Sequence, residues 1–219
     1  MLREKLIKII SKVLIISSLI ITLLLPINSC LARSNKSILI YHSHTSESYT
    51  DDYNVVKAGE DLSNKLRKKG YTVHHVIDKF DSDYNKSYYN SNKMLKEKDL
   101  QKYDLIIDYH RDAINNKKII SKDKNNNEVA KTMFVLTKEQ ENYYSQKSIV
   151  NKLEKELTII SDSDMVRKTW EYNKGINYYS QNLSENMVLI ENGFNTNTEL
   201  EAKRANTYLS YSIDKVLKN

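Results

Sequence analysis

Side chains that could do chemistry are concentrated in three short segments, and each segment directly follows an apolar run. They are residues 42–47 (HSHTSE), 110–112 (HRD) and 191–193 (ENG). Histidine and glutamate are the usual ligands of catalytic zinc, which takes three protein ligands and keeps a fourth position for water. A further carboxylate beside that water can act as a general base. The three segments together therefore contain the side chains of a zinc hydrolase.

Each segment alone is a weak signal, because a histidine after a strand is more often a solvated or capping residue than a metal ligand. Their coincidence is stronger, since three of the five histidines lie in these segments. His74 and His75 are neighbours within one apolar run. Neighbouring residues of a strand point to opposite faces, so we expect structural roles for both.

The elements that must position these segments follow from the apolar patterning. Continuous apolar runs predict strands, and helical spacing predicts the intervening helices. We expect Asn54 and Asn197 to cap the first and last helices, Gly70 to end the first, and Leu200 to face inward. Strands are predicted at 37–41, 71–77, 104–109, 132–136 and 187–190, helices at 54–69, 86–98, 139–160 and 197–217, a hairpin within 114–128 and irregular structure at 161–186.

Alternation of strands and helices, with strands that are apolar throughout, is typical of an α/β fold. We therefore predict a single domain with a mainly parallel sheet and flanking helices. Residues 34–219 contain no internal repeat and no linker that would divide them. Function in such sheets lies at the carboxyl ends of the strands, which is where the three segments fall.

Composition excludes several other functions. Residues 34–219 carry 29 basic and 27 acidic residues, so their near-neutral charge gives no reason to expect nucleic-acid binding. The chain has no G-x-S-x-G motif and no glycine-rich phosphate loop. The only cysteine is Cys30, so an intramolecular disulfide is excluded. Cys30 lies in an N-terminal segment that is typical of export signals, which argues against a cysteine nucleophile.

The N-terminus has the layout of an export signal. Residues 1–12 are basic, residues 13–25 carry no charge, and Pro26 follows. Three outcomes stay open: cleavage after the small-x-small sequence of residues 30–32, lipidation of Cys30, or retention as a membrane anchor. In each case residues 1–33 are a signal or anchor, and the rest lies outside the cytoplasmic membrane.

Four segments together resemble the stage II sporulation protein P family. They are residues 38–49 (ILIYHSHTSESY), 108–113 (DYHRDA), 133–136 (MFVL) and 189–204 (LIENGFNTNTELEAKR). The resemblance covers nearly all of residues 36–217. That family is similar in fold to the zinc-dependent N-acetylmuramoyl-L-alanine amidases, so the resemblance implies a zinc amidase-like domain over residues 34–219.

The same resemblance implies a membrane-anchored peptidoglycan hydrolase. Such an enzyme cuts the amide bond between muramic acid and L-alanine, and in the sporulation family also stem-peptide cross-links. Its setting is the thinning of the septal wall and engulfment during sporulation. The implied cofactor is Zn²⁺, and the implied partners are peptidoglycan and the stage II sporulation proteins D and M.

The resemblance also implies roles for individual residues. His44 and His110 match metal ligands, and Glu191 matches the catalytic glutamate of the last strand. The wider amidases draw an acidic ligand from the start of the first helix, where this chain has Asn54, a poor zinc ligand. Glu47 is the nearest carboxylate within the motif, so we assign it as the third ligand.

Two further residues keep alternative interpretations. His42 either contacts and orients a metal ligand without binding the metal itself, or it exchanges roles with His44 and is itself the ligand. Arg111 either orients a carboxylate of the substrate or forms a structural salt bridge with Asp112 or another neighbour. For the whole chain, the alternatives are a non-catalytic wall-binding or scaffold protein that keeps the fold, and a lipoprotein that binds a partner.

Overall fold

A computed structural model describes residues 35–78, 83, 86–113 and 118–219. The predictions for residues 1–33 therefore lie outside the described residues. All described residues belong to one compact unit, Arg33–Asn219. None of the helices in the described part of the chain combines the length and hydrophobicity that a transmembrane segment needs.

The centre of the fold is a six-stranded sheet, accompanied by a separate two-stranded hairpin. The strands of the sheet are β1 (Ser37–Tyr41), β2 (Thr72–His75), β3 (Leu105–Asp112), β6 (Thr132–Thr137), β7 (Trp170–Tyr172) and β8 (Met187–Phe194), and those of the hairpin are β4 (Ser121–Lys122) and β5 (Glu128–Val129). The strand order in the sheet is β2-β1-β3-β8-β6-β7. Strands β2, β1, β3 and β8 run parallel to one another. Strands β6 and β7 are parallel to each other and run opposite to these four, because β6 pairs antiparallel with β8. The mainly parallel α/β sheet expected from the sequence is confirmed.

Four α-helices flank the sheet, at the positions that the helical spacing predicts. The Asn54 side chain accepts a hydrogen bond from the Lys57 N–H and so caps the first helix as expected. Gly70 follows that helix with φ of 97°, a conformation that favours glycine. The helices are α1 (Val55–Lys68), α2 (Ser87–Lys96), α3 (Tyr143–Ser161) and α4 (Glu199–Lys218), with 3-10 turns at Leu100–Lys102 and Asn177–Leu183.

The start of α4 differs from the prediction. Its N-cap is Thr198, which forms a capping box with Glu201, and not Asn197. Asn197 instead accepts a hydrogen bond from the Phe194 N–H and donates one to the Ile119 carbonyl. Leu200 is 56% exposed rather than inward-facing, because the buried face of α4 runs through Ala202, Ala205 and Leu209 and leaves Leu200 outside it.

The two faces of the sheet bury different residues. Ile40, Ile107 and Ile190 belong to the larger core beneath α1, α3 and α4. Tyr41 and Ile106, at alternating positions of the same strands, belong to a smaller core with α2. A side chain's position along the strand therefore decides which helices cover it.

One strand was not expected. Residues 161–186 were predicted to be irregular, yet Trp170–Tyr172 forms β7 at the edge of the sheet beside β6. This strand has three residues and exposes Trp170 and Tyr172. Without a buried apolar run, it has no sequence signal of the kind that marks the other strands.

Candidate functional site

The three chemistry-bearing segments meet at one edge of the sheet. Strands β1, β3 and β8 are neighbours and parallel, so their carboxyl ends lie side by side. His110 and Glu191 are register partners on β3 and β8. The pairing register shifts between His110 and Asp112, so the ladder is irregular directly after His110.

His44, Glu47 and His110 form a buried cluster of potential metal ligands. One ligand atom from each lies within 4.8 Å of the others. His110 Nδ1 lies 3.2 Å from Glu47 Oε2, and His44 Nδ1 lies 3.8 Å from Glu47 Oε1. Two imidazoles and one carboxylate are a donor set of catalytic zinc, so these residues fit such an ion.

A carboxylate behind His110 fixes its ring. Asp108 Oδ1 lies 2.7 Å from His110 Nε2, and both the backbone N–H and the hydroxyl of Ser43 donate to Asp108. Because Asp108 binds Nε2 of His110, the other ring nitrogen, Nδ1, faces Glu47. Carboxylates behind metal-binding histidines commonly set the tautomer and orientation in this way.

The electrostatics of this cluster are dominated by opposite charges at short range. Burial alone would lower the pKa of His110, but Asp108 and Glu47 outweigh it and raise that pKa well above the ordinary value. Burial opposes ionisation of Glu47 too, yet His110 and Arg111 hold its pKa below the usual range. The two carboxylates thus stabilise a positive charge at the position of the His110 ring. The cluster is therefore an electronegative environment suited to a cation.

Arg111 contacts protein groups rather than open solvent. Its backbone N–H donates to Glu47 Oε2, and its Nε donates to the Ser48 carbonyl at 2.9 Å. Its Nη1 lies 3.9 Å from Glu47 Oε1. Asp112, the suggested salt-bridge partner, is bound by Arg167 instead. The observed neighbour of Arg111 is therefore Glu47, whose orientation it supports.

Glu191 lies beside the cluster without a hydrogen-bond partner for one oxygen. Among the described residues nothing donates to its buried Oε2. Burial is the main cause that raises its pKa to about 8, and the nearby Glu47, Asp112 and Asp108 add to the effect against His110. Its side chain faces a cavity of about 280 Å³ that is also lined by Tyr88 and Tyr179. Such a carboxyl can exchange a proton near neutral pH.

His42 lies on the other side of the sheet and not in the cluster. Its Nδ1 lies 2.8 Å from the Tyr109 carbonyl and its Nε2 lies 2.8 Å from His75 Nε2. His75 in turn contacts Glu60 of α1. This packing against α1 gives His42 and His75 structural roles, and an exchange of His42 with His44 finds no support in these contacts.

Sequence reasoning missed two groups of residues around the site. Asp108 was treated only as part of a strand, although its position two residues before His110 puts both on the same face. The second group lines the cavity from segments without a motif, and no signal in the sequence could have assigned it. Its members are Tyr88, Arg167, Trp170, Tyr172 and Tyr179.

The model of the stage II sporulation protein P (SpoIIP) family matches residues 20–214. The chain belongs to this family. Comparison with curated proteins finds no significant match.

Solved structures of amidases share the fold of this SpoIIP chain. The N-acetylmuramoyl-L-alanine amidase AmiC2 of Nostoc punctiforme superposes with a TM-score of 0.55 at 10% identity, covering 85% of this chain and 99% of its own. The CwlD amidase from Clostridioides difficile, solved in complex with the GerS lipoprotein, gives 0.54 at 14%, covering 84% and 99%. At these identities the similarity establishes a common fold.

Proposed function

We propose that this SpoIIP chain is a zinc-dependent N-acetylmuramoyl-L-alanine amidase that hydrolyses peptidoglycan. The observation that carries the proposal is the buried cluster of His44, Glu47 and His110 with Glu191 on the adjacent strand. A scaffold protein has no chemical need for this arrangement. The amidase-like fold and the family membership support the same assignment.

The proposed ligands of zinc are His110 through Nδ1, His44 and Glu47. When bound, zinc supplies a Lewis acid that polarises a carbonyl and lowers the pKa of water. Asp108 holds the His110 ring in place from behind. Arg111 acts on the site through Glu47, because it donates to that carboxylate and not to a group in the cavity.

Glu191 is the proposed general base and acid. In its ionised form it takes a proton from the attacking water, and it then donates that proton to the nitrogen of the leaving amine. A pKa near neutrality suits both halves of this cycle. Release of the amine leaves a free L-alanine amino group on the stem peptide and a carboxylate on the muramic acid.

The wider biological role rests on family membership. We propose that the chain acts outside the cytoplasmic membrane in degradation of the septal wall during sporulation, held there through residues 1–33. The stage II sporulation proteins D and M are the proposed partners. Cleavage of stem-peptide cross-links is a further activity that the family resemblance suggests.

Digestion of purified peptidoglycan sacculi by the full-length protein tests the proposal. Mass analysis of the fragments should find glycan without peptide and peptides with a free N-terminal L-alanine. A chelator should stop their release, and added Zn²⁺ should restore it. If the stem peptides are still attached to the glycan after prolonged digestion, the protein is not an amidase. Full activity in the presence of the chelator would exclude a role of the metal.

A further inference from the structure

The cavity at Glu191 continues away from the metal ligands towards the edge of the sheet. Besides Glu191, its lining includes Asp112, Arg167 and the rings of Trp170 and Tyr172. A larger groove of about 990 Å³ shares Arg167 and Trp170 with this cavity. Arg167 therefore stands where the reacting centre opens into a path along the sheet edge.

Arg167 is held in one orientation at this junction. Its Nη1 donates to Asp112 Oδ2 at 2.7 Å, and its guanidinium carbon lies 4.5 Å from the centre of the Phe194 ring. Among the described residues its guanidinium donates through Nη1 only. Its side chain is 27% exposed and lines the cavity, so the guanidinium N–H groups that do not bind Asp112 remain available to a ligand.

The groove beyond Arg167 favours an anion. Its lining contains five basic and three acidic residues. Two of the acids are already paired with lysines, Asp164 with Lys131 and Glu171 with Lys147. Arg167 is likewise paired with Asp112, so Lys138 and Lys168 remain against a single further acid, Glu154. This small positive excess lies on one side of the reacting centre and would attract the anionic end of an asymmetric substrate.

We propose that Arg167 forms a carboxylate-binding subsite that recognises the stem-peptide side of the substrate. This inference rests on the proposed function. The two sides of the intact substrate differ in charge, because the lactyl carboxyl of the muramic acid is tied up in the scissile amide and the N-acetylated sugars are neutral, whereas stem peptides carry free carboxylates. A guanidinium binds a carboxylate through two parallel hydrogen bonds, and the pairing to Asp112 leaves Arg167 preorganised for this contact.

The test compares two substrates that differ only in the carboxylates. One is native sacculi freed of teichoic acids, so that no phosphate competes, and the other is the same material with its carboxylates converted to primary amides. The full-length protein is assayed as wild type, Arg167→Gln and Arg167→Lys. Arg204→Gln is the matched control, because Arg204 lies on α4 and donates to the Glu128 carbonyl.

The wild type should release peptide roughly 10- to 100-fold more slowly from the amidated material, as expected for loss of a charge-assisted hydrogen-bond pair. Arg167→Gln should be slowed by a similar factor on native sacculi and should no longer distinguish the two substrates. Arg167→Lys keeps the charge without the planar fork, so it should be about fivefold slower on native material. Arg204→Gln should behave as wild type.

Three results would overturn the subsite: equal wild-type rates on the two substrates, a native rate for Arg167→Gln like that of the wild type, or undiminished discrimination by that variant. Thermal unfolding establishes that each variant is folded. If Arg167→Gln does not fold, Arg167→Lys decides, since an unchanged rate on native sacculi refutes the proposal. A wild type that cleaves neither substrate would refute the proposed function instead.

Discussion

His110 and Glu191 are paired across β3 and β8, yet their surroundings differ. His110 is held between two carboxylates, and its pKa is raised well above the ordinary value. Glu191 has a buried oxygen without a hydrogen-bond donor among the described residues, and burial raises its pKa to about 8. The first environment suits a ligand of a cation, and the second suits a group that moves a proton.

Substitution of these two residues should therefore separate metal binding from catalysis. His110→Ala removes one of three ligands, so both zinc content and wall digestion should fall sharply. Glu191→Gln keeps the shape and removes only basicity, so zinc should stay near one per chain while the rate falls about 10²- to 10⁴-fold. Emission spectrometry and digestion rates on the same preparations make the comparison. Loss of zinc from Glu191→Gln, or full activity, would contradict the proposed mechanism.

Asp108 should affect the metal without touching it. Asp108→Ala frees the His110 ring, and loss of such a supporting carboxylate typically weakens metal affinity or activity about 10- to 100-fold. Competition with a zinc-binding dye measures the affinity. Asp104→Ala is the matched control, because Asp104 precedes the same strand and accepts from the Ser37 N–H. If the two variants bind zinc equally well, Asp108 has no positioning role.

At the scale of elements, helix α1 packs onto the sheet through a glycine. A Cβ atom built on Gly59 would lie 2.5 Å from His42 Cε1 and 3.0 Å from His75 Nε2. The absence of a side chain is what allows α1 to approach the two histidines of β1 and β2. The close approach leaves room for the His42 ring between β1 and the helix, where it contacts the Tyr109 carbonyl and His75.

Gly59→Ala should destabilise the protein despite the better helix propensity of alanine. Propensity favours the variant by about 1 kcal/mol, whereas overpacking of a filled core costs about 1–3 kcal/mol. We expect the free energy of unfolding to fall by up to about 2 kcal/mol in urea titrations. The same change in a His42→Ala background should cost less, because the clashing ring is gone. Additive losses would show that the contact does not limit the packing.

For the whole molecule, His42 predicts a loss of stability in acid. Burial is the main cause that lowers its pKa to about 3, helped by neighbouring His75. Below about pH 6.5 this residue is protonated in the unfolded chain and neutral in the folded chain. The free energy of unfolding therefore decreases as the pH is lowered, by up to about 1.4 kcal/mol per pH unit. His42→Gln should show a shallower loss between pH 6 and 4. Urea unfolding in the presence of a chelator measures both slopes, and identical slopes would rule out His42 as the cause.

The chain as a whole is predicted to be exported. The basic residues 1–12 precede an apolar run, so they should stay in the cytoplasm while residues 34–219 face the wall. Protease added to intact protoplasts should digest the C-terminal domain and spare a cytoplasmic control protein. Protection of both would refute export.

The sequence by itself determines the fold class and most of the ligand cluster. Continuous apolar strands alternating with helices require a mainly parallel sheet, and parallel strands bring the segments after β1, β3 and β8 to one edge. The three segments that contain His44, Glu47, His110 and Glu191 could therefore be proposed together from local pattern, while the choice of these residues within the segments came from the family resemblance. Their roles as ligands and base remain predictions.

Only the tertiary structure decided which side chains share a face and which distant segments complete the cavity. His42 and His44 lie two residues apart, but the chain leaves the strand after Tyr41, so strand periodicity could not separate them. Arg167 and β7 reach the site because β6 pairs antiparallel with β8, a choice no local pattern encodes. In each case the deciding contacts join residues far apart in the chain or beyond a strand's end, where local periodicity carries no information.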